Sequence, residues 1–267
     1  MKKEFQVGKS GLDQIVDVII PNYNNTWELQ RAVNSALIQG SQIGKIFVID
    51  DGSSEEVRNY IIENIQEIDK VEVFFNQHSG LPGVARKFGI MQSNATWIAF
   101  LDSDDWWEKG KIIRQLELSE SLGASFIATN ARIWRDGQSV GPLVSKLPRK
   151  LFFKELAKDN LVINSSVLIR RELLLTVGIY ASSIRTRAVE DFATWLRVAV
   201  ATNIYFIGSE LVNYTDSTSS IRSLDENDPK IYAFIDVLNW LRNQELNFFK
   251  HRRIRKIVAT QVKKIIK

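Results

Sequence analysis

The chain of 267 residues contains no cysteine, only two histidines and no long apolar run. The absence of cysteine excludes disulfides and thiolate metal sites and is compatible with a reducing compartment. No apolar stretch approaches the roughly 18 residues that a membrane-spanning helix needs. No apolar segment follows the lysines at the N-terminus, so we expect no signal peptide and predict a cytoplasmic location.

The net positive charge of the chain comes from its C-terminal residues. Residues 248–267 hold eight basic and no acidic residues, so the rest of the chain holds 27 basic against 31 acidic residues. The apolar residues of this tail fall mostly on one helical face, which indicates a basic amphipathic helix. Such a helix is suited to peripheral contact with the anionic inner face of the plasma membrane. It is equally suited to packing on the body of the protein or on a partner. The acidic body and the lack of a recognition motif argue against nucleic acid.

The first 105 residues alternate between strand and helix patterns, which predicts an α/β fold with a Rossmann-like, mostly parallel sheet flanked by helices. We expect strands at Ile15–Ile20, Lys45–Ile49, Val71–Phe75 and Trp97–Leu101, and helices at Trp27–Gln39, Glu55–Ile65 and Val84–Met91. Further along, Lys111–Leu122 is helical, and Ala124–Ile133 and Val167–Arg170 are strand-like. We divide the chain into two halves of one domain (1–105 and 106–222) and a helical basic tail (223–267).

An acidic run, Asp102-Ser103-Asp104-Asp105, follows the fourth strand. Carboxylates this close repel one another, and a divalent cation with oxygen ligands would relieve the repulsion. The same run is equally consistent with a cap on the following helix. Ligands of parallel sheets bind beyond the carboxyl ends of the strands. That rule brings the run to the same rim as Asn22-Tyr23-Asn24 and Asp50-Asp51, and therefore predicts a composite site.

Five segments, in order, resemble the family 2 glycosyltransferases of the GT-A fold, over about Val16 to Tyr214. They are Val18–Asn24, Val48–Ser53, Ala85-Arg86 before Gly89-Ile90, Phe100–Trp106, and Val189–Phe192 followed by Trp195-Leu196-Arg197. The resemblance implies an inverting, non-processive hexosyltransferase that uses a nucleotide-sugar, usually a UDP-sugar. It also implies a glycan or lipid-linked acceptor, as in the synthesis of bacterial surface polysaccharide. On this basis residues 1–105 would be the nucleotide-sugar-binding half of the domain, and residues 106–222 its acceptor-binding and catalytic half.

The resemblance assigns roles to residues around the predicted site. Asp50 or Asp51 would bind the uracil, and Arg86 would approach the diphosphate or support the acidic loop. Mn²⁺ or Mg²⁺ would be held by an Asp-x-Asp pair, with Asp104 as the direct ligand and Asp102 as its helper. The remaining nucleotide-sugar contacts would be Pro21, Tyr23, Asn24 and Ser103.

Asp191 is the predicted base, because the acceptor hydroxyl must lose a proton as it attacks the anomeric carbon. Its neighbour Glu190 would orient the acceptor or the loop. Without the resemblance, the same pair could simply begin a helix, where negative charge is favourable. Acceptor contacts are predicted at Asp105, which could instead cap a helix, and at an aromatic residue near the acidic loop. Of the candidates Trp106, Trp107 and Trp134, we favour Trp107.

Three departures from the family pattern bear on the site. Lys87 stands where many relatives have Asn, and Ala193 where many have a second Asp. The His that often follows as a further metal ligand is missing, and Asp216 is a candidate substitute. Two other functions stay open, a nucleotidyltransferase and a non-catalytic sugar-nucleotide-binding module.

Overall fold

The computed structural model describes residues 15–146, 148–180, 184–216 and 229–266. Its strands are β1 Val16–Asn22, β2 Ile43–Asp50, β3 Val71–Phe75, β4 Trp97–Phe100, β5 Trp106–Trp107, β6 Phe126–Arg135, β7 Gln138–Pro142, β8 Lys150–Leu151, β9 Leu168–Arg170 and β10 Ile204–Thr215. Its α-helices are α1 Trp27–Leu37, α2 Glu55–Asn64, α3 Pro82–Gln92, α4 Lys111–Leu122, α5 Phe153–Leu156, α6 Arg171–Val177, α7 Glu190–Ala201, α8 Lys230–Leu241 and α9 Phe248–Ile265.

The strands form one sheet in the order β3-β2-β1-β4-β9-β6-β10-β5, with β7 beside β6 and β8 beside β10. The first half, β3 to β4, is parallel as the sequence predicted. The second half is mixed, because β9 runs antiparallel to both β4 and β6 while β10 is parallel to β6. Residue Asn22 pairs with Asp50 in the register of β1 and β2, so the carboxyl ends of these strands lie side by side.

Both faces of the sheet are buried, which explains why the central strands read as apolar runs. In β1, Ile19 faces one core cluster, whereas Val18 and Ile20 face the other. Helices α3 and α5 to α9 contribute residues to the first cluster, and α1, α2 and α4 contribute to the second. The polar residues that follow Ile20 lie at the carboxyl end of β1, at the edge of the sheet.

The acidic run is not the cap of the next helix. Strand β5 intervenes, and α4 begins after Gly110, which has a left-handed φ of 84°. The cap of α2 is Ser54, whose hydroxyl accepts from the Val57 amide at 3.4 Å.

The C-terminal helices belong to the main core. Phe234 and Val237 of α8 are buried in the same cluster as α7, and Ile254 and Val258 of α9 join it. The apolar stripe of the basic tail therefore packs on the body, which was one of the two predicted arrangements. No helix among the described residues is long and apolar enough to span a membrane.

Candidate functional site

A cavity of about 760 Å³ opens at the carboxyl ends of β1, β2 and β4. The start of α7 and the end of β10 close its other side. Of the predicted site residues, those on its wall are Pro21, Tyr23, Asp51, Arg86, Asp102, Ser103, Asp104, Glu190 and Asp191. The three strand-end segments that the rule predicted thus line one pocket, although Pro21 and Asp104 are 83 residues apart in sequence.

Asp50 lies beneath this wall and shapes the turn after β2. It is fully buried, and its Oδ1 accepts from Asn22 Nδ2 at 3.2 Å and from the Ser53 hydroxyl at 2.5 Å. Its Oδ2 accepts from the Ser53 amide at 3.0 Å. Asp51 lines the cavity and Asp50 does not, so only Asp51 of the predicted pair is placed to contact a ligand.

Asp51 organises the loop that follows β3. One carboxylate oxygen accepts from the Ser79 amide and hydroxyl, at 2.9 and 2.8 Å, and the other accepts from the Gly80 amide at 2.9 Å. His78, in the same loop, stacks on Tyr23 with the ring centroids 4.4 Å apart. Both rings line the cavity. His78 is a site residue that the sequence did not reveal, since nothing local links it to Tyr23.

Close approach of the two loops requires a glycine after Asp51. Gly52 has a φ of 74°, and a Cβ there would lie 2.6 Å from the His78 backbone nitrogen. A side chain at this position would push away the loop that carries His78. The Asp-Asp-Gly segment therefore positions the stacked rings as well as Asp51.

Asn24 holds two loops together and does not reach the cavity. Its backbone amide donates to the Ser53 hydroxyl at 2.8 Å, and its side-chain Oδ1 accepts from the Ser54 backbone amide at 2.9 Å. The pocket residue is its neighbour Asn25, whose Nδ2 donates to the Ser103 hydroxyl at 2.8 Å. The prediction of a nucleotide-sugar contact at Asn24 is corrected, because its side chain is already used on the backbone.

The acidic loop is fixed from several sides. The carbonyl of Asp104 accepts from an Arg31 guanidinium nitrogen and from the Thr215 hydroxyl, both at 2.6 Å. The carboxylate of Asp105 accepts from the Ser165 hydroxyl at 2.5 Å and from the Thr215 amide at 2.8 Å. Asp105 is therefore a buried anchor for the loop rather than an acceptor contact or a helix cap.

Trp107 also lies away from the cavity. It is 2% exposed, its indole nitrogen donates to the Ser165 carbonyl at 2.7 Å, and the Lys111 ammonium lies 4.1 Å from its ring centroid. We withdraw it as an acceptor platform, because β5 turns it into the core. Its neighbour Trp106 is half-buried and has the guanidinium of Arg31 3.7 Å above its ring centroid.

Arg86 joins the acidic loop to α7. One terminal nitrogen donates to Asp102 Oδ1 at 2.6 Å and the other to Glu190 Oε1 at 3.0 Å. Burial alone would lower the pKa of Arg86, but the neighbouring Asp102, Tyr180 and Glu190 raise it above its ordinary value. Of the two roles proposed from the sequence, support of the acidic loop is the one that these contacts describe.

The carboxylates of the pocket lie where a cation would be stabilised. Burial and the charge of Asp102 raise the pKa of Asp104 to about 6. Two carboxylates of this kind are a hard oxygen donor set that fits Mg²⁺ or Mn²⁺. In the part of the chain described here, no cluster of three His, Cys, Asp or Glu side chains could complete a metal site. Asp216 does not substitute for the missing His, since it pairs with Arg135 at 2.7 Å outside the cavity.

Asp191 stands at the first turn of α7 and lines the cavity. Its Oδ1 accepts from the Phe192 amide at 2.6 Å, which orients the carboxylate. The adjoining Glu190 is held by Arg86, and its second oxygen, Oε2, is buried without a hydrogen-bond partner among the described residues. Both carboxylates do begin a helix, and both also face the pocket.

Two departures from the family pattern have a plain structural reading. Lys87 is exposed on α3, whereas its neighbour Arg86 is buried. Ala193 is fully buried in the core, where a carboxylate would have no partner to compensate its desolvation.

The comparisons with known proteins agree with this architecture. The model of Glycosyl transferase family 2 matches residues 17–177. TuaG of Bacillus subtilis (strain 168), a glycosyltransferase assigned provisionally to teichuronic acid biosynthesis, is 30% identical over 184 residues, which cover 68% of this chain and 71% of TuaG. WfgD of Escherichia coli, named UDP-Glc:alpha-D-GlcNAc-diphosphoundecaprenol beta-1,3-glucosyltransferase, is 28% identical over 213 residues, which cover 79% of this chain and 81% of WfgD.

A solved structure shares the fold. The crystal structure of S. aureus TarS 1-349 in complex with UDP-GlcNAc superposes with a TM-score of 0.74 at 16% identity. The match covers 93% of this chain and 72% of the TarS chain. At this identity the likeness concerns the fold, and it confirms the GT-A architecture predicted from the sequence.

Proposed function

The chain belongs to glycosyl transferase family 2 and is a glycosyltransferase, and from that premise we propose that it moves a sugar from a UDP-sugar to a hydroxyl of a lipid-linked glycan. The observation that carries this proposal is the single cavity in which Tyr23, the Asp102–Asp104 pair and Asp191 meet. The names of WfgD, which uses UDP-Glc and a diphosphoundecaprenol acceptor, and of the TarS complex with UDP-GlcNAc support the substrate classes. The pathway would be the assembly of bacterial surface polysaccharide.

The nucleoside end of the donor would lie against Tyr23, His78 and Asp51. The stacked rings present an aromatic face to a uracil, and the Asp51 carboxylate can accept from its N–H. Pro21 on the same wall adds an apolar contact. Ser103 and the two carboxylates of the acidic loop would then face the sugar and diphosphate.

The reaction would be a single displacement that inverts the anomeric centre. The acceptor oxygen forms a bond to the anomeric carbon while the bond from that carbon to the diphosphate oxygen breaks, and UDP leaves with the electron pair. Asp191 takes the acceptor proton, and the hydrogen bond from the Phe192 amide fixes the direction of its carboxylate. Asp102 and Asp104 would hold Mn²⁺ or Mg²⁺, which when bound neutralises charge on the leaving diphosphate.

Glu190 would position the base rather than act as one. Its Oε1 is tied to Arg86, which also holds Asp102, so one guanidinium connects the helix that carries the base to the acidic loop. The distance between the two halves of the site therefore depends on this bridge. A displaced Arg86 would move the base and the metal carboxylates apart.

The decisive experiment measures UDP release from candidate UDP-sugars with lipid-linked acceptors and Mn²⁺. Asp191→Asn removes the base while keeping the side-chain shape, so we expect turnover to fall about 10²- to 10⁴-fold with donor binding retained. Asp69→Asn, at an exposed position, is the matched control and should leave turnover unchanged. Equal turnover in the wild type and the Asp191→Asn variant would contradict the assigned role.

We also infer that the enzyme makes peripheral contact with an anionic membrane through α9. The buried residues Ile254 and Val258 define the inner face of this helix, and the described part of the chain leaves the opposite face exposed. Phe249, which is 77% exposed, stands on that outer face among cationic side chains. An aromatic ring beside cations is the composition that binds anionic lipid surfaces. The cations nearest the outer face are Arg252, Arg253, Lys256 and Lys263.

A further inference from the structure

The cavity has an excess of negative side chains. Five carboxylates line it, and the cations on the described part of its wall are Arg86 and Arg187. The carboxylates are Asp51, Asp102, Asp104, Glu190 and Asp191. A diphosphate carries further negative charge, and one divalent cation would offset only part of the total, so positive side chains that are available to the diphosphate would favour its entry.

Arg86 is not available in this way. It is 4% exposed, and its two terminal nitrogens are already paired with Asp102 and Glu190. To turn toward a ligand it would have to abandon the half-buried Asp102 and the buried Glu190, and the charge of Glu190 would then be left without compensation. Its positive charge is committed to the protein.

Arg187 is different in both position and partners. It lies between the 3₁₀ turn Ile184–Thr186 and α7, and its side chain is half-buried on the cavity wall. Its Nε is buried without a hydrogen-bond partner among the described residues, and no carboxylate of that part of the chain forms an ion pair with it. The Nε atoms of Arg31, Arg86 and Arg197 share this state. Arg187 differs because its terminal nitrogens also have no partner among the described residues, and a buried guanidinium N–H without an acceptor is costly.

The backbone next to Arg187 is held in an uncommon conformation. Ala188 has a φ of 67°, in the left-handed region that residues with a Cβ seldom adopt. Such strain persists where the surrounding structure imposes it, and it is concentrated at functional sites. Here the turn places Arg187 and Ala188 on the cavity wall three residues before the Glu190-Asp191 pair.

The geometry points to Arg187 as a diphosphate-binding residue of this active site. A guanidinium offers paired N–H donors that match phosphate oxygens, and Arg187 is the wall cation that the described carboxylates leave uncommitted. The inference rests on the proposed function, in which a diphosphate occurs in the UDP-sugar and also in a lipid-diphosphate acceptor. The chemistry is the same for both sources, and the experiment distinguishes them.

The test compares the wild type with Arg187→Met, Arg187→Lys and Arg185→Met. Calorimetry in the presence of Mn²⁺ measures the affinities for inorganic pyrophosphate, UDP and uridine. Steady-state kinetics measures KM for a lipid-diphosphate acceptor and for the same glycan without the diphosphate. Thermal melting establishes that each variant is folded. The exposed Arg185, two residues away, is the matched control for loss of charge in this loop.

For the donor diphosphate, Arg187→Met should weaken pyrophosphate and UDP about tenfold to a hundredfold while uridine is unaffected, as expected for a lost charge-assisted hydrogen bond. If Arg187 instead binds the diphosphate of the acceptor, Arg187→Met should leave the affinity for UDP unchanged. KM should then rise about tenfold to a hundredfold for the lipid-diphosphate acceptor and stay unchanged for the glycan without the diphosphate. Arg187→Lys should recover part of either loss, because the charge remains but the planar pair of donors does not.

Unchanged affinity for pyrophosphate and UDP, together with unchanged KM for the diphosphate acceptor, would overturn the inference. Losses of affinity in Arg185→Met equal to those in Arg187→Met would also overturn the inference. A wild type that binds pyrophosphate but not UDP would instead contradict the proposed donor. Pyrophosphate binding then decides the role of Arg187 by itself.

Discussion

Lys111 is a titratable side chain enclosed by the core beneath the site. It is fully buried, donates to Gln115 Oε1 at 2.9 Å and lies over the ring of Trp107. Burial lowers the pKa of this ammonium well below its ordinary value. In the pH range between the lowered pKa and the ordinary one, the unfolded chain binds a proton that the folded chain does not.

Replacing Lys111 should therefore change how stability depends on pH. The free energy of unfolding of the wild type should rise as the pH increases through that range, because the unfolded state then loses its extra proton. Lys111→Met should raise stability at neutral pH and flatten this dependence. Urea unfolding at a series of pH values measures both. An exposed lysine, Lys109→Met, should leave the slope unchanged, and a slope unaltered by Lys111→Met would contradict the assignment.

At the scale of elements, α7 connects the site to the C-terminal helices. Its first turn carries the predicted base, and in the same turn Phe192 meets Phe234 of α8 edge to face, with the centroids 5.9 Å apart. The Arg197 guanidinium of α7 also lies 3.6 Å from a carboxylate oxygen of Asp236 on α8. The helices after β10 thus support the helix that presents Asp191.

We expect Phe234→Ala to destabilise the protein by about 3–5 kcal/mol, since it removes a buried ring and leaves a cavity. Because the cavity would lie behind α7, sugar transfer should decline more than UDP binding. The neighbouring Ile235, which is 46% exposed on the same helix, provides the control Ile235→Ala, with a loss under about 1 kcal/mol. Chemical denaturation gives the free energies, and equal losses in the two variants would refute the supporting role of α8.

At the scale of the whole molecule, charge is separated between the cavity and the C-terminal helix. The cavity wall is rich in carboxylates, whereas α9 contains seven lysines and arginines and no acidic residue. Because α9 contributes Ile254 and Val258 to the core, deleting it would damage the fold as well as any membrane contact. Charge reversal on the outer face separates the two effects.

We expect the wild type to sediment with phosphatidylglycerol vesicles, less so as salt is raised. Lys256→Glu combined with Lys263→Glu should weaken this binding on the order of thirtyfold or more, at roughly 1 kcal/mol for each cation lost. Charge reversal of the exposed residues Lys109 and Lys158, in the body, is the matched control. Equal vesicle binding by both double variants and the wild type would rule out α9 as the contact.

The order of the polar clusters could be predicted because it depends on local pattern. Apolar strands that end in polar residues reveal β1, β2 and β4, and parallel strands necessarily bring those ends to one edge. The same reasoning placed Asp51, Asp102 and Asp104 on one wall. It could not distinguish Asp50 from Asp51, since neighbouring side chains of a strand end face opposite ways and the turn decides which of them is buried.

What the sequence determined by itself is the alternation of strands and helices and the set of carboxylates at the strand ends, because these follow from short-range periodicity and spacing. The family was also evident from the sequence, through the resemblance of five ordered motifs. Only the tertiary structure decided the partners. Arg86 meets Glu190 across 104 residues, Tyr23 stacks on His78, and Trp107 is buried where Trp106 is half-exposed. Such choices depend on how distant segments pack, and packing is a property of the whole chain rather than of any segment.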